Sequence, residues 1–443
     1  NQVRESLEND PVWNKCSSEW GRGPGFKNRV ITHLKEWGRR QQFTDHETTN
    51  AIKVIPLLEE VSLPPQSPQF RLHVRNVRAL KQVDWTPNQL SAVIGANGAG
   101  KTTLLLVLKL LRVAYERGLP EAVTQVLGGS SNIRTWGTDE AEPIEIGIDI
   151  DAAIWRIQLV PHEGTAAYQT NEFLIEKERE IFSRDALGGF SYGGKQIIVS
   201  DSKLGLRTLM DRGIHESALR KIASFLQRIA VYHDPDLWTL RHQGSNTSED
   251  RTLHSRGGNA LTLLRRWYQE RVHQHRYRFV IEGLAAAFPN LIEDMDFIEA
   301  GNTLVARTYR SGQELPCPLA NEANGVLQLL VLLCNVANAE KESLVAIDEP
   351  ENGLHPYALR AFLRRTGQWA RQHKLTVVLA THSTVILDEF SASPEQVFVM
   401  KADKSEEKLP IRLDELCNRE WLEGFKLGDL YEQGEIGSNE DEV

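Results

Sequence analysis

The segment from Leu90 to Thr103 reads LSAVIGANGAGKTT. Gly95, Gly100, Lys101 and Thr102 match GxxxxGK[ST] without a mismatch, and Ala96, Asn97, Gly98, Ala99 and Thr103 complete the loop. Successive backbone N–H groups in a loop of this kind turn inward around a phosphate. The helix that opens near Lys101 aims its positive end at the same point. Lys101 would reach the β- and γ-phosphates of a nucleoside triphosphate such as ATP, and the Thr102 hydroxyl would bind Mg2+. The context fits, because Leu90, Ala92, Val93 and Ile94 precede the loop as a short apolar strand. Leu104 to Leu108 and Leu110 follow it as a buried helix.

A second group of chemically capable residues lies far downstream. Leu344 to Ile347 is an apolar strand that runs into Asp348 and Glu349. Burial of that strand in a parallel sheet would place both carboxylates at its C-terminal edge, where ligands bind in open α/β sheets. Asp348 would hold Mg2+ through its water shell. Glu349 would position, or take a proton from, the water that attacks the γ-phosphate. The next core strand, Leu375 to Ala380, ends in Thr381-His382-Ser383, and a histidine at that tip can reach a γ-phosphate oxygen.

The elements that must position these groups alternate in type. Phe70, Leu72 and Val74 alternate with Arg71, His73 and Arg75 as a half-buried strand should. Ile144, Ile146, Ile148 and Ile150 repeat the pattern, with Ile154, Ile157 and Val160 after a turn, so residues 143 to 175 read as an antiparallel meander. Residues 204 to 295 read as mostly helical, interrupted by a polar segment expected to be mobile at 242 to 258. One long helix from Ala260 to Phe288 would carry Arg265, Arg266, Arg271, Arg276 and Arg278 with Trp267, Tyr268 and Tyr277 interleaved. It is the best candidate for a DNA contact, set against a solvated helix face with its aromatics turned to the core. The helix Val326 to Ala337 leads into the Asp348 strand, and the helix Pro356 to Gln372 follows it. Near the N-terminus, Phe26 to Arg40 and Thr48 to Val61 read as short helices before a linker marked by Pro64, Pro65 and Pro68.

GANGAGKTT, IDEPENGLHP (Ile347 to Pro356) and LATHS (Leu379 to Ser383) together resemble the ABC-type P-loop ATPases of the RecF/SMC/OLD branch. They are most similar to the stand-alone OLD-like ATPases of bacterial anti-phage defence systems. The resemblance runs from Phe70 to Gly437 and includes the closing GDLYEQGEIG. It implies an α/β fold: a two-lobed ABC-type ATPase head with an antiparallel β-subdomain and a helical insertion lobe. The divisions it suggests are an N-terminal extension or docking arm at 1–65 and a first ATPase lobe at 66–203. A helical insertion at 204–317, a second lobe at 318–437 and an acidic tail at 438–443 follow. Such heads dimerise around ATP, so the resemblance implies a homodimer or a higher homo-oligomer. Asn324 and Gly325 would form a signature segment facing a partner's phosphate. The serine usual in that segment is Ala323 here, which implies slow turnover, and Asn324 could cap the helix. Asn352, Gly353 and His355 fall where the family's inter-subunit loop lies. No Toprim nuclease domain follows Asp388, and no long heptad coiled coil separates the lobes. The expected role is therefore a regulatory subunit acting on a separate effector, a nuclease. The alternative is a RecF-like ATPase that binds DNA itself.

Bulk properties agree with this reading. The net charge of -9 excludes a general polyanion binder. Cys16, Cys317, Cys334 and Cys417 form no CxxC, which argues against a zinc site and suits a reducing cytoplasm. The longest apolar run, Val326 to Ala337, is too short to span a membrane.

Overall fold

The computed structural model describes residues 70–139, 141–161, 168–197, 203–401 and 409–437. The expected N-terminal arm and the acidic tail lie outside the described residues.

Three strands, β1 (Arg71–Val77), β2 (Leu80–Trp85) and β3 (Leu90–Ile94), lead to the glycine loop. Helices α1 (Lys101–Arg117) and α2 (Leu119–Leu127) follow it. The meander then runs through β4 (Ile144–Ile150), β5 (Ala153–Pro161), β6 (Tyr168–Glu176), β7 (Arg179–Arg184), β8 (Phe190–Tyr192) and β9 (Lys195–Gln196). It joins β1 and β2 in an eight-stranded sheet ordered β2-β1-β4-β5-β6-β7-β8-β9, and its pairings are antiparallel. In β1, Leu72 and Val74 are buried while Arg71 and Arg75 face out, as the alternation predicts.

The segment expected to be a helical insertion is more mixed. It opens with α3 (Gly205–Asp211) and α4 (Ser217–Gln227). Both pack back on the first lobe, where the buried Glu172 carboxylate accepts the Trp155 indole N–H at 3.0 Å and the Leu206 N–H at 3.0 Å. Next, β10 (Ile229–Tyr232) joins the central sheet, pairing in parallel with the Asp348 strand. After α5 (Leu237–His242), β11 (Ser245–Asn246) ties the polar segment 242–258 to a small sheet, and the Asn259 side chain accepts from the His254 N–H at 2.9 Å. The single helix expected from Ala260 to Phe288 is two helices, α6 (Ala260–Gln269) and α7 (Gln274–Ala287), joined by a tight turn at Arg271–His273. The break lets each half serve a different partner. α6 packs on the small sheet, whereas α7 packs on the two helices beneath the central sheet. The hairpin β12 (Asp294–Ala300) and β13 (Thr303–Tyr309), with β14 (Cys317–Pro318), completes the small antiparallel sheet.

The last part returns to parallel α/β: α8 (Asn324–Asn338), β15 (Leu344–Asp348), α9 (Pro356–His373), β16 (Thr376–Ala380), α10 (Thr384–Glu389) and β17 (Val397–Val399). β18 (Ile411–Arg412) adds an antiparallel edge, and α11 (Leu413–Leu416), α12 (Arg419–Leu422) and α13 (Leu427–Glu432) close the described chain. The central sheet has the order β10-β15-β16-β3-β17-β18. Its inner strands β3, β15 and β16 are buried on both faces, so they read as nearly continuous apolar runs. Val93, Ala346 and Val378 face α1 and the first lobe, while Ala92, Val345, Ile347 and Val377 face α7, α8 and α9. α8, sandwiched in this second core, is buried from Val326 to Ala337 and apolar there except for Gln328 and Asn335. The fold is mixed α/β, with a central, mainly parallel sheet and two antiparallel sheets.

Candidate functional site

Sheet register assembles the site. Asp348 lies opposite Ala380, and Ala380 lies opposite Val93. The ladder continues one residue beyond the strands: the Glu349 N–H bonds Ala380 O at 2.8 Å, the Thr381 N–H bonds Val93 O at 3.0 Å, and the Met400 N–H bonds Ile94 O at 2.7 Å. The glycine loop, the two carboxylates and His382 are thereby set side by side at one C-terminal edge.

The loop is shaped by its glycines. A Cβ on Gly95, at φ 145°, would sit 2.1 Å from the Met400 carbonyl oxygen. A Cβ on Gly98, at φ 80°, would meet no atom within 4 Å. Gly95→Ala is therefore expected to lower thermal stability by about 1–3 kcal/mol through overpacking against backbone. Gly98→Ala should cost only the left-handed penalty of about 1–2 kcal/mol. Thermal melts of the two variants check that ranking. Gly100 occupies the N-cap of α1 in a left-handed conformation, no side chain caps the helix, and its first turn holds no acidic residue. The helix end is open to an anion.

Lys101 is buried, and its ammonium donates to Gly95 O at 2.7 Å and Ala96 O at 2.9 Å. Burial lowers its pKa, opposed by the charges of Asp348, Glu349 and Glu351. Burial likewise raises the Asp348 carboxyl, opposed by a hydrogen bond from Thr102 and by His233. His233 Nδ1 lies 3.0 Å from Asp348 Oδ2. Thr102 and Asp348 offer the hard oxygen donors that Mg2+ prefers, and no cluster of three or more His, Cys, Asp or Glu suited to a metal occurs among the described residues. Two protein oxygens fit an ion that keeps most of its waters and also takes phosphate oxygens, rather than one held in an all-protein cage.

Glu349 has the left-handed φ of 47°, unusual for a residue with a side chain and worth about 1–3 kcal/mol of strain. Its exposed carboxylate accepts from Asn352 Nδ2 at 2.7 Å. Glu351 turns the other way. Its Oε1 accepts the Thr381 hydroxyl at 2.9 Å and the His382 N–H at 2.8 Å, while Oε2 is buried with no partner. Burial pushes its carboxyl up. Burial and the Lys101 charge lower the His382 pKa, which favours a neutral imidazole. Its Nδ1 lies 2.9 Å from the Tyr431 hydroxyl.

The signature-like residues stand apart from this cluster. Ala323 is the N-cap of α8, with no side-chain capping bond, and Asn324 is the first helical residue. The expected cap by Asn324 is thus replaced: its Oδ1 accepts Arg241 Nη2 at 2.7 Å. Gly325 packs beside the Gly353 carbonyl. Buried Glu322 anchors the approach to the helix, accepting the Thr308 hydroxyl at 2.6 Å and Arg310 Nη2 at 3.1 Å to both carboxylate oxygens. The arginines proposed for DNA are largely engaged. Arg265 pairs with Glu299, Arg266 with Glu270 at 2.8 Å, and Arg276 donates to Asn338 O at 3.1 Å.

Residues 194–388 match the family model described as "AAA domain, putative AbiEii toxin, Type IV TA system", and this span holds the Asp348 strand and His382. The chain carries a P-loop ATPase domain. The glycine loop of the ATPase domain lies upstream of the matched span. A comparison with curated proteins gives no match. Among solved structures, the chain is similar to an SMC head bound to the C-winged helix domain of ScpA, at 12% identity and TM-score 0.45, over 80% of this chain and 100% of that one. An SMC head domain with an extended coiled coil, bound to the C-terminal domain of ScpA derived from Pyrococcus furiosus, aligns at 12% identity and TM-score 0.38, over 73% and 92%. The SMC head domain from Thermotoga maritima aligns at 12% identity and TM-score 0.32, over 72% and 90%. No helix among the described residues is long and apolar enough to cross a membrane.

Sequence reasoning passed over His233, Glu351, Tyr431 and Arg241. Glu351 was visible as the third carboxylate of DEPE, and Tyr431 as the aromatic of the closing GDLYEQGEIG. His233 follows IAVY, a four-residue strand hidden between helical patterns.

Proposed function

We propose that this chain binds ATP with Mg2+ at the glycine loop and hydrolyses it slowly. ATP-dependent assembly of two or more copies would then control a separate effector protein, a nuclease, in a prokaryotic anti-phage defence complex. The observation that carries the reading is the alignment of Lys101, Thr102, Asp348, Glu349 and His382 along one edge of the parallel sheet. The loop from Gly95 to Thr103 cradles the phosphates, with Lys101 on the β- and γ-phosphates. Thr102 and Asp348 would hold the cation, which would supply charge neutralisation at the phosphoryl group. Glu349 positions the attacking water and takes its proton, and His382 contacts the γ-phosphate. Asn324 and Gly325 of a second copy close the site through the open N-terminus of α8. Ala323 supplies no hydroxyl there, so turnover is slow. The assignment to defence and to a nuclease partner rests on the sequence resemblance, and the toxin–antitoxin wording of the matching family model is of the same kind.

Phosphate release from ATP by the purified chain tests the proposal. Slow, Mg2+-dependent release is expected, and release no faster than in buffer would contradict it. The RecF-like reading has less support, since Arg265, Arg266 and Arg276 are occupied within the chain. We therefore expect ATP to produce no gain in affinity for a duplex oligonucleotide at low salt, where counterion release most favours binding. Fluorescence anisotropy checks this.

A further inference from the structure

The last described helix, α13, reaches into the site through one side chain. Tyr431 Oη lies 2.9 Å from His382 Nδ1 and donates to Gly95 O at 3.3 Å. Gly95 O is also the acceptor of Lys101 at 2.7 Å. One phenol thus touches both the glycine loop and the histidine at the tip of β16. Its ring is seated by packing, since a Cβ on Gly437 would meet Tyr431 Cε2 at 2.8 Å and Ile94 Cδ1 at 3.5 Å. The backbone of His382 is fixed independently by Glu351. The imidazole is the part left for Tyr431 to set.

A tyrosine hydroxyl carries a single proton. With that proton on Gly95 O, the hydroxyl oxygen accepts from His382 Nδ1–H. A neutral imidazole then has a lone pair on Nε2 and cannot donate from that atom. With the proton turned to Nδ1, the tautomer reverses and Nε2–H becomes a donor. Gly95 O does not lose its last partner in the second arrangement, because it keeps Lys101, whose ammonium has three protons to share.

We infer that Tyr431 is a positioning residue for His382: its hydroxyl donates to Gly95 O and, when nucleotide binds, turns to His382 Nδ1, presenting Nε2–H to the γ-phosphate. This rests on the proposed ATPase reading. No bond is made or broken beyond the exchange of hydrogen-bond partners, and the imidazole proton moves between ring nitrogens through solvent or the hydroxyl. The last described helix thereby senses the state of the phosphate loop.

Tyr431→Phe keeps the ring and removes the hydroxyl. The test pairs steady-state ATPase kinetics with 15N spectra of histidine-labelled full-length protein, with the His382 signals assigned by their loss in His382→Asn. In the nucleotide-free wild type, Nδ1 of His382 should carry the proton, and this preference should shift toward Nε2 in Tyr431→Phe. The kcat of Tyr431→Phe should fall about tenfold, the equivalent of one hydrogen bond to the switch, with KM for ATP within about twofold of wild type. Unchanged His382 nitrogen shifts in Tyr431→Phe, or an unchanged kcat in an active enzyme, would overturn the inference. A wild-type chain that binds no ATP would instead overturn the ATPase reading, and the nucleotide-free spectra would still decide whether Tyr431 sets the tautomer. Thermal melts of the two proteins should agree, and a variant that melts early is replaced by Gly437→Ala, which displaces the same ring.

Discussion

Glu349→Gln is expected to bind ATP as tightly as the wild-type chain and to hydrolyse it about a thousandfold more slowly, within the range that a lost general base produces. The substitution is nearly isosteric and leaves the Asn352 contact an oxygen acceptor to bond. It removes the negative charge that would take the proton of the attacking water. The backbone at Glu349 is held in a left-handed conformation by its own N–H bond to Ala380 O, and glutamine inherits that geometry unchanged. The carboxylate is exposed at the sheet edge, so its loss should not disturb packing. Single-turnover hydrolysis alongside equilibrium binding of ATP separates the two effects. Wild-type hydrolysis by the variant would remove Glu349 from the base role.

Lys101→Ala is expected to weaken ATP binding about a hundredfold or more, since hydrogen bonds to a charged group are each worth about 1.5–3 kcal/mol. The ammonium donates to Gly95 O and Ala96 O. It is already inside the loop and surrounded by the carboxylates of Asp348, Glu349 and Glu351, which oppose the effect of burial on its pKa. Alanine removes the cation and its bonds to both carbonyls, leaving Gly95 O the Tyr431 hydroxyl and Ala96 O the Ala99 N–H, so a modest drop in melting temperature should accompany the lost affinity. Calorimetric titration with a slowly hydrolysed ATP analogue measures the first effect, and a thermal melt measures the second. An affinity within a few-fold of wild type would show that the lysine does not contact phosphate.

The parts of the fold legible in the sequence were those where a single physical rule dominates. LSAVI and LVAI are apolar without alternation because both faces of a parallel strand are covered, and both lie in the central sheet. The alternation from Ile144 onward gave the antiparallel meander for the complementary reason. Glycine and proline marked the loop and the start of α9. The illegible parts were settled by contacts distant in sequence. Nothing in the run from Ala260 to Phe288 announces the turn at Arg271–His273, because both halves are good helices and only their different partners separate them. The arginines of that run looked like a basic stripe, whereas Glu299 and Asn338, brought in by other elements, engage Arg265 and Arg276. The same holds at the site. The residues of the glycine loop and of DEPE announce their chemistry by type and spacing. His233, Arg241 and Tyr431 matter by placement alone: a short strand, a short helix and the last described helix carry them there.

The central claim is that ATP held at this site joins copies of the chain, and the Glu349→Gln protein tests it most directly because bound ATP persists in it. Its mass in solution, measured by light scattering on a sizing column with and without ATP and Mg2+, should rise from the single-chain value of 50.1 kDa to at least twice that when nucleotide is present. The same mass in both conditions, with ATP demonstrably bound, would contradict the account.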